Sequence, residues 1–374
     1  MTREERICGA LWGLAWGDAL GAPIEGWSAE EIATTFGAYP DLPSSYAQVK
    51  MSRRARLRPP GLHTDDTQQA LALLAVCLAP GGFSARAWGE CLVSGRESAS
   101  WRGTGKQFEN AVTRLELGTS PETSGSPSAG IGAAMRTAPI GALFHDEPEE
   151  LARVALESAA VTHGDVRALA LSFAVAYVAG RFVAGVGPAA IRRELADAVV
   201  DAEDTWLSSR AAWSISREAG HQLSEALRPL LRALPEEPMA LAARVLELGM
   251  TQLDPGAPPP HPNHAFALLG GHFALGMALR DDVEPTGALR DIVRLGEDTD
   301  TVAAIAGGLL GARFGPVWVP KTKLVDAEHL SAWADALVTR VAPEPLDALL
   351  AREAELTERE KTFQRRASPG AAAQ

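Results

Sequence analysis

The stretch Ala70-Leu71-Ala72-Leu73-Leu74-Ala75-Val76-Cys77-Leu78 decides the fold class. Its Ala70, Leu73, Leu74, Cys77 and Leu78 recur three and four positions apart, the spacing of one helix face rather than the alternation of a strand. The same period returns at Leu169, Phe173, Ala176 and Tyr177. Further amphipathic stretches predict helices near 4–20, 84–97, 105–117, 147–160, 187–202, 210–233, 238–249, 263–280, 286–295, 300–313, 327–341 and 343–360. Turn-bounded clusters of Val, Ile and Thr are scarce. The expectation is an all-α protein, a single compact multi-helix globular domain.

With 374 residues the chain could hold one large domain or two ordinary ones. Three Gly/Pro/Ser-rich stretches (Gly118 to Gly132, Asp254 to Asn263, and the tail from about Thr362) do not read as linkers between separate cores. One domain over 1–361 followed by a disordered tail over 362–374 is expected. At 46% hydrophobic residues the chain can bury a core, which excludes global disorder. The longest apolar runs, near Ala70 to Ala79 and Ala168 to Gly180, fall short of the roughly 18 residues of a membrane span. The opening Met1-Thr2-Arg3-Glu4-Glu5-Arg6 carries both signs of charge and is not a secretion signal.

Cys8, Cys77 and Cys91 lack metal-type or paired spacing and read as buried filler suited to a reducing cytoplasm. A monomer is expected. The net charge is −12, and no basic cluster exceeds Arg53-Arg54-Ala55-Arg56-Leu57-Arg58. This argues against a protein that lives on a nucleic-acid backbone and leaves a local anion contact open.

Two segments stand out: His63-Thr64-Asp65-Asp66-Thr67 and Gly296-Glu297-Asp298-Thr299-Asp300-Thr301, each running into an apolar helix. Ser, Thr and Asp are the commonest helix starts, and Thr64 and Asp298 or Thr299 suit that role. Capping needs one acceptor, however, and each segment offers two carboxylates and a hydroxyl. If the two starts face each other, four carboxylates converge and their repulsion demands a cation. Hard oxygen donors without Cys or paired His suit Mg²⁺ or Mn²⁺ rather than zinc, and two such segments suggest two ions.

Gly13-Leu14-Ala15-Trp16-Gly17-Asp18-Ala19-Leu20-Gly21 has glycines that let its helix approach another backbone closely, and Glu25 follows just beyond Pro23. Trp12, Trp16 and Trp27 nearby read as core. Ser126 to Arg136 sets small residues before a helix, leaving backbone N–H groups for an anion such as a phosphate.

These four segments in this order closely resemble the ADP-ribosylglycohydrolase family, over about Glu5 to Gly315. The resemblance implies an all-α fold, two Mg²⁺ or Mn²⁺ ions, and cleavage of the bond joining ADP-ribose to an acceptor. By position, Thr64, Asp65, Asp66, Asp298, Asp300 and Thr301 look like the metal ligands, and Glu25 like the loop glutamate that closes over the metals. Gly130, Ile131, Gly132, Ala133 and Met135 resemble the diphosphate-binding loop, and His163 in Thr162-His163-Gly164 the histidine near ribose and phosphate. The chain departs from the family at His261-Pro262-Asn263-His264-Ala265-Phe266, where many members carry a Gly-Tyr pair whose ring covers adenine, and at Glu297, where glycine is common.

The expected chemistry is hydrolysis at ribose C1 through an oxocarbenium-like transition state, with Asp65 or Asp66 taking the water proton and Glu25 at the site. The acceptor is an ADP-ribosylated protein side chain, with nucleic acid or a small molecule as alternatives, and no membrane partner. Two rival readings share the scaffold: a non-catalytic binder of ADP-ribose or a partner protein, and a hydrolase of another small ribosyl metabolite.

Overall fold

Helices cover 66% of the chain and no strand occurs among the described residues, so the all-α expectation holds. The computed structural model describes residues 1–367 apart from Pro40, Ser44, Ala55, Ala211 and 251–259. The helices begin with α1 (Arg3–Gly21), α2 (Ala29–Phe36), α3 (Met51–Arg54), α4 (Asp65–Leu78), α5 (Ala85–Glu97) and α6 (Lys106–Glu116). They continue as α7 (Ala138–Leu143), α8 (Pro148–Ala160), α9 (Val166–Val183), α10 (Pro188–Ser209), α11 (Gln222–Arg232) and α12 (Pro238–Met250). The last are α13 (His272–Leu279), α14 (Pro285–Val293), α15 (Thr299–Phe314), α16 (Ala327–Thr339) and α17 (Leu346–Ala367).

The pairing of α1 with α15 organises everything else. Thr2 and Glu5 start α1 with a capping box, and glycines then fall at 9, 13, 17 and 21, one per turn on a single face. A Cβ on Gly13 would lie 2.0 Å from the Gly307 carbonyl oxygen, and one on Gly17 1.9 Å from that of Ala303. Gly9 meets Gly311 and Gly21 meets Thr299 in the same way. The helices therefore run antiparallel at backbone contact. The end of α1 comes to lie beside the start of α15, where Thr299 Oγ1 donates to the Gly21 carbonyl at 2.9 Å.

Around this pair the apolar faces close a core in which Trp88, Phe182, Phe273 and Trp333 are fully buried, as are Trp12, Trp16 and Trp27 nearly so. Two helices, Arg3–Ile24 and Val166–Val183, are long and apolar enough to cross a membrane, which corrects the expectation from run length. Nearly all of the apolar 18-residue window in each is buried inside the protein, so both serve as core helices.

Two predicted helices are interrupted. The stretch 210–233 becomes α11 preceded by a turn, because Ser214 N donates to Glu122 O and Ser216 N to Gly164 O, at 2.9 and 2.8 Å. The stretch 263–280 opens with backbone pairing of Phe266 to Gly130 and then a π-helical turn, Ala267–Gly271, before α13. Helix α17 reaches Ala367, past Thr362 where the tail was expected to begin. Most of the proline-rich stretch from Asp254 and the last seven positions lie outside the described residues.

Candidate active site

Helix α4 starts on a buried carboxylate that belongs to α1. Asp18, wholly buried, accepts hydrogen bonds from Thr64 N at 2.9 Å, Thr67 N at 3.1 Å and Thr67 Oγ1 at 2.6 Å. The N-terminal amides of α4 thus receive an anion where the helix dipole favours one. Thr64 caps the helix as expected, and its Oγ1 donates to Asp66 Oδ2 at 2.7 Å. Asp66 Oδ1 is buried without a hydrogen-bond partner. Asp65 Oδ2 accepts from Gln69 Nε2 at 2.9 Å.

Opposite stands the start of α15. Asn263, fully buried, ties the preceding turn: its Nδ2 donates to Ile292 O and Gly296 O, and its carbonyl accepts from Asp298 N. Glu297 holds a left-handed φ of 62°, fixed by its N–H to Trp27 O and by Gly26 N to its carbonyl. The Glu25–Ser28 loop is thereby laced to the α15 turn. Glu25 itself accepts from Arg58 Nη2 at 2.7 Å with 41% of its side chain exposed. The basic cluster singled out in the sequence is used internally, since Arg53 pairs with Glu31 and Arg54 caps carbonyls of Ala47 and Val49.

A cavity of about 450 Å³ opens between the two helix starts. Its wall includes Glu25, Asp65, Asp298, Asp300 and Thr301 on one side and Gly130, Ile131, Gly132, Met135 and His163 on the other. Thr64 and Asp66 lie behind this wall, and Ala133 belongs to the core beneath the loop. In that loop Gly130 N donates to Ser128 Oγ and Ile131 N to Ala265 O, so these two amides are not free, contrary to expectation. Among the described residues the Gly132 and Ala133 amides have no protein acceptor. Phe266 does not replace the missing aromatic cover: it is buried, with the Arg167 guanidinium over its ring at 5.3 Å.

Crowding of carboxylates sets the electrostatics. Burial, with Asp18 and Glu25 adding and Arg58 opposing, pushes Asp65 up to about 8. Burial and the proximity of Glu25 push Asp298 to about 7. Asp66 rises well above the ordinary aspartate value through burial, Asp18 and Asp65, and Asp300 through burial, Glu25 and Asp66. Burial would strip the proton from Arg58, but Glu25, Asp300, Glu360 and Asp65 outweigh it and hold the guanidinium charged.

The donor set of carboxylates and threonine hydroxyls, with the orphaned Asp66 Oδ1, fits a hard divalent cation. Among the described residues no three His, Cys, Asp or Glu side chains close on one point, so the Thr64 and Thr301 hydroxyls matter to that fit.

Several residues escaped the sequence reading. Asp18 carried one local signal, an acid between Gly17 and Ala19 in an apolar helix. Glu353 of α17 carried none. It is buried against His63 at 3.1 Å, Gln68 at 2.8 Å and Arg102 at 2.8 Å, and Glu360 lies 3.8 Å from Arg58. The last helix thus braces the back of α4 and the Arg102–Gly103 loop, whose Gly103 approaches Arg58 and Asp65.

The sequence model of the ADP-ribosylglycohydrolase family matches residues 1–348. The chain is 35% identical over 174 residues to an uncharacterized protein of Archaeoglobus fulgidus, covering 46% of this chain and 54% of that one. It is 31% identical over 200 residues to the ADP-ribosyl-[dinitrogen reductase] glycohydrolase of Rhodospirillum rubrum, covering 51% and 62%. These two matches thus span a little over half the relatives' lengths. The uncharacterized protein YegU of Escherichia coli K12 is 25% identical over 342 residues, 84% of this chain and 89% of that one. A solved ADP-ribosylglycohydrolase-related protein complex superposes with a TM-score of 0.60 at 27% identity, over 90% of this chain and 98% of that one. Fold, motif order and a match over nearly the whole length lead to one conclusion: the chain belongs to the ADP-ribosylglycohydrolase family.

Proposed function

We propose that this chain hydrolyses the bond at ribose C1 between ADP-ribose and an acceptor, using two divalent cations, Mg²⁺ or Mn²⁺. Thr64, Asp65, Asp66, Asp298, Asp300 and Thr301 would hold them. The observation that carries this reading is the convergence of two distant helix starts on one cavity, with Asp66 of one close enough to raise the proton affinity of Asp300 on the other. When bound, such cations supply positive charge to the ribose hydroxyls and acidify a water.

The chain's own groups do the rest. Asp65 reaches the cavity wall, whereas Asp66 lies behind it. Asp65, at the cavity wall, is therefore the carboxylate placed to take the water proton beside C1. Free amides of Gly132 and Ala133 would receive the diphosphate, with Gly130, Ile131, Met135 and His163 shaping its seat. Glu25, on the laced rim loop, closes the open side.

The Rhodospirillum relative is named for an ADP-ribosylated protein, which supports a protein side chain as acceptor here. Three free thiols support a cytoplasmic location, and we assign the active form as a monomer.

A panel of acceptors ADP-ribosylated on arginine, on serine and on nucleic acid tests the reading, with Mg²⁺, Mn²⁺ or chelator present and free ADP-ribose measured. Cation-dependent release from at least one is expected, and Asp66→Ala or Asp300→Ala should slow it by several powers of ten. Binding of ADP-ribose without release from any acceptor would make the chain a binder and overturn the proposal.

A further inference from the structure

We infer that Arg136, fully buried and outside the cavity wall, is the positioning residue that decides which ring nitrogen of His163 carries the proton, so that His163 offers an Nε2–H donor to the Gly130–Gly132 loop. Arg136 is fully buried, with its guanidinium over the Trp88 ring at 5.1 Å. Its Nη2 donates to Ser158 O and to Thr162 Oγ1, both at 2.8 Å. A guanidinium has donors only, so Thr162 Oγ1 is an acceptor on that side and must place its single proton elsewhere.

Two acceptors lie within reach: Ala159 O at 3.2 Å and His163 Nδ1 at 2.9 Å. Ala159 O already accepts from Thr162 N at 3.0 Å and His163 N at 2.8 Å, which uses both of its lone pairs. The hydroxyl proton therefore goes to His163 Nδ1. In a neutral ring that leaves the hydrogen on Nε2.

Nε2 is aimed at the loop. A Cβ on Gly132 would lie 3.4 Å from it and one on Gly130 3.6 Å, so the glycines allow the approach. The ring stays neutral because burial, and then the nearby Arg136 charge, lower its proton affinity to about 3. A donor that does not charge adds to the free amides of Gly132 and Ala133 around one anion.

The same logic acts on the other arm of Arg136. Its Nη1 donates to Gln69 Oε1, which turns the Gln69 amide nitrogen to Asp65. One buried cation thus orients hydrogen-bonding groups on both walls of the cavity.

The anion's identity as a diphosphate rests on the proposed function, but the position of the proton does not. The test is the long-range ¹H–¹⁵N spectrum of the free, full-length protein with labelled histidine, the His163 signals assigned by their loss in His163→Gln. The wild type should show the Nε2–H form. Thr162→Val should shift the ring to the Nδ1–H form or a mixture and weaken ADP-ribose binding about tenfold, while Thr162→Ser restores both. An Nδ1–H ring in the wild type, or an unchanged ring in Thr162→Val, overturns the inference. A changed ring with unchanged ADP-ribose affinity overturns the donor role. Wild-type protein that shows the Nε2–H ring yet binds no ADP-ribose supports the relay and refutes the proposed function instead.

Discussion

Replacing Asp65 by Asn should stabilise the cation-free protein, and only above mildly acidic pH. An ordinary aspartate titrates at 3.8, and burial among other acids pushes Asp65 to about 8. At about 1.4 kcal/mol per pH unit, ionising it in the folded state costs on the order of 5 kcal/mol. The sign follows from the raised folded-state value: the cost is absent below the ordinary pKa and grows as pH rises from about 4 to about 8. Asn keeps an oxygen for the Gln69 amide, so the hydrogen bond survives while the charge goes. With 374 residues the melting entropy is about 0.8 kcal/mol per kelvin, so the gain is roughly 6 °C at pH 8 and near zero at pH 4. Thermal unfolding in chelator at both pH values reads it directly. Adding Mn²⁺ should then raise the wild-type midpoint more than that of Asp65→Asn. A gap equal at both pH values, or a variant less stable than wild type at pH 8, would refute the electrostatic account of the site.

Other consequences are as specific. Gly13→Ala places a methyl 2.0 Å from a backbone carbonyl of α15; it should cost about 3 kcal/mol or more, or prevent folding, as read by soluble yield and chemical denaturation. Glu297→Gly relieves a left-handed conformation at φ 62° and should raise stability by about 0.5–1 kcal/mol in the same assay. Glu353→Ala leaves Arg102 and His63 without their buried anion and should cost about 3–5 kcal/mol at pH 7. For Glu353→Gln the loss relative to wild type should be full above the ordinary glutamate range and shrink as pH falls below about 4. The reason is that His63 and Arg102 overcome burial and hold the Glu353 pKa down in the folded state.

What could be read from the sequence was local. The three- and four-residue spacing in 70–78 announces α4 because a helix repeats its face within one turn. The glycines at 13, 17 and 21 announced a close backbone approach, and the partner is α15. Thr64 and the acids after it were legible as a helix start, and their doubling as more than a cap.

Other features depend on distant partners and left no periodic trace. Asp18 caps a helix that begins 46 residues later. Glu353 and Glu360 look like surface acids of a charged helix, yet they brace α4 and Arg58. The break in 210–233 comes from Ser214 and Ser216 bonding to loops near Glu122 and Gly164, which no propensity scale weighs. The loop at Gly130 promised free amides in general, and only its pairing with Ser128 and Ala265 shows which two remain.

Cation titration of the full-length protein by calorimetry is the most direct test of the claim that α4 and α15 jointly cage divalent ions. Two Mn²⁺ per chain are expected for the wild type, with binding lost or reduced by Asp66→Asn on one helix and equally by Asp300→Asn on the other. Binding that ignores either substitution, or no binding at all in protein that melts cooperatively, would contradict it.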